Sequence, residues 1–217
     1  MPNWVTNKIQ APSHVIRALL NERGVVDFNT VLPFAGPHVY ESICMDAEMV
    51  AEMACCIPIS DHPLIAQLET FNRSRVSLRT MREDSFKQVI GMLENYRACG
   101  YIHSMAFARD VWGTKWNAHK PTANPDEGTC QFDTAWACPR GVLVKLSLMF
   151  PNDTITAIYA DEDIGNNCGT LTLKDGNFVH QDIAPRPRDQ DAESQKKWTA
   201  FACEVTGFVP DPEDSDD

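Results

Sequence analysis

Trp112-Gly113-Thr114-Lys115-Trp116-Asn117 and, beyond a gap rich in turn formers, Phe132-Asp133-Thr134-Ala135-Trp136 form the stretch whose reading decides the fold of this chain. Three of its five tryptophans fall in these two segments. Each is a large apolar body with a single polar N–H, so three so close together imply packing specified in detail. Thr114 to His119 and Cys130 to Trp136 read as strands, with Lys120 to Gly128 as the loop between them. In an extended strand Trp112, Thr114 and Trp116 would share one face, leaving Gly113, Lys115 and Asn117 on the other. The two indoles would then be core, and Lys115 with Asn117 would face solvent. Lys115 placed over an indole face could instead hold an anionic group or a base.

Downstream, Pro139 to Phe150 has the apolar spacing of a helix (Val142, Leu143, Leu146, Met149, Phe150). Thr154 to Tyr159, Gly169 to Leu173 and Phe178 to Asp182 read as strands, and Asp175-Gly176 between the last two is a strong hairpin signal. Asp191 to Thr206 reads as a terminal helix with Trp198, Phe201, Ala202 and Val205 inward. Upstream, Asn3 to Gln10 alternates as a strand does, a helix capped by Ser13 carries Val15, Ile16, Leu19 and Leu20, and Val25 to Leu32 reads as a second strand. Between Pro37 and Gly100 the periodicity is helical throughout, in Glu41 to Cys55, Pro63 to Asn72 and Phe86 to Tyr96.

These patterns predict an α+β fold, a ferredoxin-like antiparallel sheet with helices on one face, interrupted by an all-helical insertion. The expected organisation is an N-terminal β-α-β unit (1–36), the helical insertion (37–100), a β-β-α-β-β-β region (101–186), a C-terminal helix (187–209) and an acidic disordered tail (210–217).

The 217 residues carry a net charge of −11, and it is unevenly placed. Residues 1–120 balance, whereas residues 121–217 hold 7 basic against 18 acidic side chains. Such a field opposes phosphate binding by the C-terminal half and favours a basic protein partner. No apolar run approaches the roughly 20 residues of a membrane span, and the start lacks a secretory signal pattern, so a cytoplasmic protein is expected. The eight cysteines form no Cys-x-x-Cys pair and read as reduced core residues. Cys44, Cys55, Cys56 and His62 are awkwardly spaced for one tetrahedral zinc.

Met1-Pro2-Asn3-Trp4, Asp27-Phe28-Asn29 running into Leu32-Pro33, the Trp112 to Asn117 and Phe132 to Trp136 segments with Pro139, and Tyr159-Ala160 with its following acids and Gly165 resemble the YubB-like family of plasmid, phage and island proteins. That resemblance implies a C-terminal ferredoxin-like domain of unknown function and a setting as accessory cargo of mobile elements. It supplies no catalytic residues. The Trp136-Ala-Cys-Pro139 stretch and the acidic tail depart from the family pattern.

Three functional readings follow. The first is a non-enzymatic accessory protein that binds a host or defence-system protein, an inhibitor of the anti-CRISPR or antirestriction type, with Lys115, Asn117, Asp161, Glu162 and Asp163 as the contact residues. The second is a nucleic-acid module in which Arg73, Arg75, Arg79 and Arg82 of the helical insertion contact phosphates. The third is a metal-dependent hydrolase at Asp161 to Asp163, although the spacing fails the EF-hand pattern and a solvated turn explains the same residues. No nucleotide-binding glycine loop, nucleophile elbow or metal motif is present in the sequence, and no cofactor or resident metal is expected.

Overall fold

The structure is a computed structural model that describes residues 3–55 and 81–209. The chain divides into two compact units, one from Met1–Pro33 with Ala108–Asp217 and one from Phe34–Phe107.

The first unit is built on a six-stranded sheet. Its strands are β1 (Trp4–Gln10), β2 (His119–Asn124), β3 (Thr129–Ala135), β4 (Ile155–Asp161), β5 (Gly169–Lys174) and β6 (Asn177–Ile183), in the spatial order β2-β3-β1-β4-β5-β6. Every neighbouring pair is antiparallel. With α1 (Ser13–Ala18) after β1, and a helix over Arg140–Met149 between β3 and β4, the first four strands reproduce the β-α-β-β-α-β connectivity of the ferredoxin-like motif, and β5-β6 extend it. The N-terminal strand and the C-terminal half therefore share one sheet. β1 is central to it, with Trp4 opposite Ala135 of β3 and Val5 opposite Asp161 of β4.

Alternation along β1 buries Val5, Asn7 and Ile9 while Trp4, Thr6 and Lys8 stay half-exposed on the other face. The first set packs into the core with Val15, Ile16 and Leu19 of the α1 region and Leu143 and Leu146 of Arg140–Met149. Asn7 is fully buried there and donates through Nδ2 to Thr134 Oγ1 at 2.8 Å, a polar lock between β1 and β3. The β5-β6 turn has Asp175 at φ 48° and Gly176 at φ 71°, the left-handed pair that a two-residue hairpin requires.

Several expected features differ. Val25 to Leu32 is not a strand. Apart from one bridge between Leu20 and Val26, it forms a 3-10 turn over Phe28–Thr30, because Asp27 Oδ1 accepts from the Asn29 N–H and draws the chain out of extension. This turn seats Phe28 edge-on against Trp112 and Phe132. Ser13 does not cap α1, since Pro12 holds the N-cap position and no side chain bonds there. The strand expected over Thr114 to His119 lies instead at His119–Asn124, in part of the stretch expected to be a loop. Trp112 closes a π-helical turn over Ala108–Trp112. Gly141 is required beneath this turn, as a Cβ there would run into the Val111 carbonyl oxygen.

The second unit contains α2 (Met45–Cys55) and α3 (Glu83–Cys99), packed around Ala47, Val50, Ala51, Val89, Met92 and Ile102. Buried His103 accepts from the Ala106 N–H through Nδ1. Its Nε2 therefore carries the proton given to Glu48 Oε1 at 2.9 Å. The helix expected over Pro63 to Asn72 lies outside the described residues.

With Arg140–Met149 as α4, the final helix is α5 (Ala192–Thr206), begun by Asp191 accepting from the Ser194 N–H and ended by Gly207 at φ 76°. Its buried residues Trp198, Ala202 and Val205 cluster with Ala160 and Cys168, with Ile158 packed alongside. Ile158 and Ala160 point away from the sheet face that Tyr159 shares with Arg140 of α4. So α1 and α4 cover one face, and α5 lies over part of the other.

Candidate functional site

The three tryptophans that drew attention in the sequence have opposite fates. Trp112 is 5% exposed and donates Nε1–H to the Leu32 carbonyl at 2.8 Å, which makes it core. Trp116 is 39% exposed and Trp136 is 48% exposed. The alternation that would have placed Trp112 and Trp116 together does not operate, because residues 113–117 form bends and not a strand. Lys115 lies between the two exposed indoles, with Nζ 4.6 Å from the Trp116 ring centre and 5.0 Å from that of Trp136. Both distances are within cation–π range. Arg109 reaches Trp136 from the π-helical turn at 5.9 Å. On the other side Trp4 meets Trp116 at 5.9 Å and stacks on His119 at 4.6 Å. A continuous row, His119-Trp4-Trp116-Lys115-Trp136-Arg109, thus crosses the end of the sheet where β1 and β2 begin and β3 ends.

Trp136 is held there against its backbone preference. Its φ of 69° is an uncommon value for a bulky residue. Its N–H donates to the Asn3 carbonyl at 2.9 Å and its own carbonyl accepts from Asn167 Nδ2 at 3.0 Å. Asn167 Nδ2 also donates to Asp161 Oδ2 at 2.8 Å, and Asp161 Oδ1 accepts from Asn3 Nδ2 and from the Asp163 N–H. Asp161 is accordingly 5% exposed and acts as a structural anchor, a correction to the expected solvated carboxylate. It positions Trp136 through Asn3 and Asn167. Glu162 and Asp163 do lie at the surface, Asp163 accepting from the Asn166 side chain.

Asn117 is likewise structural and not a solvent-facing contact. Its Oδ1 accepts from the Phe28 and Ala118 N–H groups and its Nδ2 donates to Asp27 Oδ1 at 2.8 Å. Burial pushes the Asp27 carboxyl up, but the hydrogen bonds from Asn117, Asn29 and Asn21 together outweigh it and hold the group below the usual carboxylate range.

Arg73, Arg75 and Arg79 lie outside the described residues, as do Cys56 and His62. Arg82 is exposed and precedes the first turn of α3. Among the described residues no group of three or more His, Cys, Asp and Glu side chains comes together as metal ligands. Burial pushes the thiols of Cys130 and Cys138 up to about 12 and that of Cys168 to about 11, so these three remain protonated and weakly nucleophilic at neutral pH. No helix among the described residues is long and apolar enough to cross a membrane.

A groove of about 380 Å³ adjoins the aromatic row on the face that α5 partly covers. Trp4, Thr6, His119, Asp133, Glu162 and Phe208 are among the residues that line it, with Lys120 and Ile164. Sequence reasoning missed both the groove and Asp133. The available signal was position: Asp133 is two residues from Ala135 on β3 and shares the alternating face that carries Gln131.

Residues 111–201 match the family described as the ferredoxin-like domain in Api92-like protein. The ferredoxin-like character of the C-terminal part is thereby shown, and the match takes in Trp112, Trp116 and Trp136. The crystal structure of a protein api92 from Yersinia pseudotuberculosis is similar over 85% of this chain and 99% of that one, at 9% identity and a TM-score of 0.39. No curated protein matches the chain.

Proposed function

We propose that the protein acts by binding another protein, not by catalysis, through the surface made by Trp116, Lys115 and Trp136 with Glu162 and Asp163 beside it. The observation that carries this reading is the pair of exposed indoles flanking Lys115, one of them fixed in a left-handed backbone by three anchoring residues. Exposed tryptophans are among the residue types most enriched in interface hot spots, where truncation costs at least about 2 kcal/mol. A ring held in advance also loses less freedom on association.

The charge distribution supports a basic partner, and the resemblance to mobile-element proteins of the YubB-like kind supports a component of a host defence system. An inhibitor of that sort would work by covering a surface that otherwise meets nucleic acid. A cytoplasmic setting belongs to the same proposal.

The test is affinity capture from a host lysate by the full chain and by Trp116→Ala and Trp136→Ala. The partner recovered by the natural chain should be lost from both variants, an affinity decrease of about 30-fold or more. Replacing Glu162 and Asp163 by Lys should weaken capture further and reduce its salt sensitivity. Asp161 is left out of this set because its loss would disturb Trp136 directly. Equal recovery by all variants would sink the proposal. Partner-free recovery of RNA or DNA would favour the nucleic-acid reading instead.

A further inference from the structure

The groove beside the aromatic row has a chemistry of its own. Asp133 sits opposite Thr6 in register and uses Oδ1 to accept from the Thr6 hydroxyl at 3.1 Å. Neither its Oδ2 nor the Glu162 carboxylate makes a hydrogen bond among the described residues. The Trp4-His119 stack lines the same space. So does the C-terminal end of α5, with Thr206, Gly207 and Phe208. The end of a 15-residue helix carries the negative pole of its dipole, which favours a cation. This chain already uses that preference: Lys8 Nζ donates to the Glu204 carbonyl at 3.5 Å. Lys120 and His119 are the cationic or titratable groups that also line the groove, and both are exposed.

Two available carboxylates, a helix C-terminus and an aromatic wall converge in a space of about 380 Å³. We propose that this groove receives an arginine side chain of the protein partner. The planar guanidinium suits it better than an ammonium, since it can pack flat along the aromatic wall while its fork of N–H donors meets Asp133 and Glu162. The inference rests on the protein-binding reading and deepens it, because it names what the basic partner inserts and puts Asp133 in place of Asp161 beside Glu162.

The test is a backbone and indole N–H NMR titration of the full chain with acetyl-Arg-Arg-amide, and with its uncharged citrulline counterpart. Addition of the arginine peptide should shift the Trp4 indole, Thr6 and Gly207 resonances, and the citrulline peptide should bind at least about tenfold more weakly. Glu162→Gln, at an exposed position, should weaken the arginine peptide by about the same factor. Asp133→Asn keeps an acceptor for Thr6 and should act likewise, with unshifted amides elsewhere reporting an intact fold. Equal binding of the two peptides, or arginine binding unchanged in Glu162→Gln, overturns the proposal. The two readings fail separately. Capture that needs Trp116 and Trp136 but survives Glu162→Gln removes only the arginine groove, whereas arginine-specific shifts with capture indifferent to both tryptophans remove the wider surface.

Discussion

The face of the sheet covered by α1 and α4 and the face partly covered by α5 obey different rules. On the first, Val5, Ile9, Phe132, Ile155 and Leu171 are at most 1% exposed, and the polar exception Asn7 is locked to Thr134. On the second, α5 buries Ala160 and Trp198, while Trp4, Thr6, Asp133 and Lys8 remain half-exposed. The lesson is that ordering and burial are separate properties. Trp112 is ordered by packing, whereas Trp136 is ordered by hydrogen bonds on its backbone and keeps its ring in solvent.

The largest expected effect tests the packed face. Trp112→Ala removes the edge-on contact with Phe28 and leaves a cavity, and should lower stability by about 3–5 kcal/mol in a denaturant titration. Gly141→Ala forces a methyl onto the Val111 carbonyl, with an expected loss of about 1–3 kcal/mol or more and a lower Tm. Asn117→Ala strands the Phe28 N–H and should cost about 1–3 kcal/mol in the same assay, with no separate effect on partner binding once folding is complete.

A subtler test uses pH. The Asp27 carboxyl is depressed in the folded chain, so the stability it contributes is present above its unfolded value, near 3.8, and is lost as pH falls through the lower folded value. Asp27→Asn should therefore flatten the fall of Tm below about pH 4. A slope identical to that of the natural chain would show that other carboxylates dominate.

The smallest expected effect on stability is the one that most sharpens the comparison. In Trp136→Gly a strained left-handed residue is replaced by one that tolerates that backbone, and stability should stay within about 1 kcal/mol of the natural chain. Partner capture should nevertheless be lost. If this variant unfolds as Trp112→Ala does, the two faces do not differ as argued.

Much of the sheet was legible because its signals are local. The Asp175-Gly176 turn, the alternation of β1 and the stripe of α4 each follow from neighbouring residues. Two misreadings had one physical source, applying a period of two where the chain is not extended. Val26 and Phe28 are buried at the spacing of a strand, yet the Asp27 side chain bends the segment into a 3-10 turn. At 113–117 the same assumption placed Trp116 in the core. β2 was displaced because an edge strand with Pro121 and mostly exposed side chains has little apolar pattern to detect. The groove could not be seen at all, since Thr6, Asp133, Glu162 and Phe208 meet only after β1, β3, β4 and the end of α5 assemble.

The central place of β1 also sets the order in which the chain can fold as it is synthesised. Thr6 and Asp133 are 127 residues apart, and Asn3 and Asp161 are 158 apart. At about 5–20 residues per second, roughly 8–30 s pass between the emergence of β1 and that of the last of its two partners. Until β3 emerges Val5 and Ile9 belong to an unpaired strand, and until β4 emerges one edge of β1 stays open, while helices such as α3 form within about microseconds of leaving the ribosome. β1 thus stands exposed until both of its partners have been made, although it ends up in the middle of the sheet.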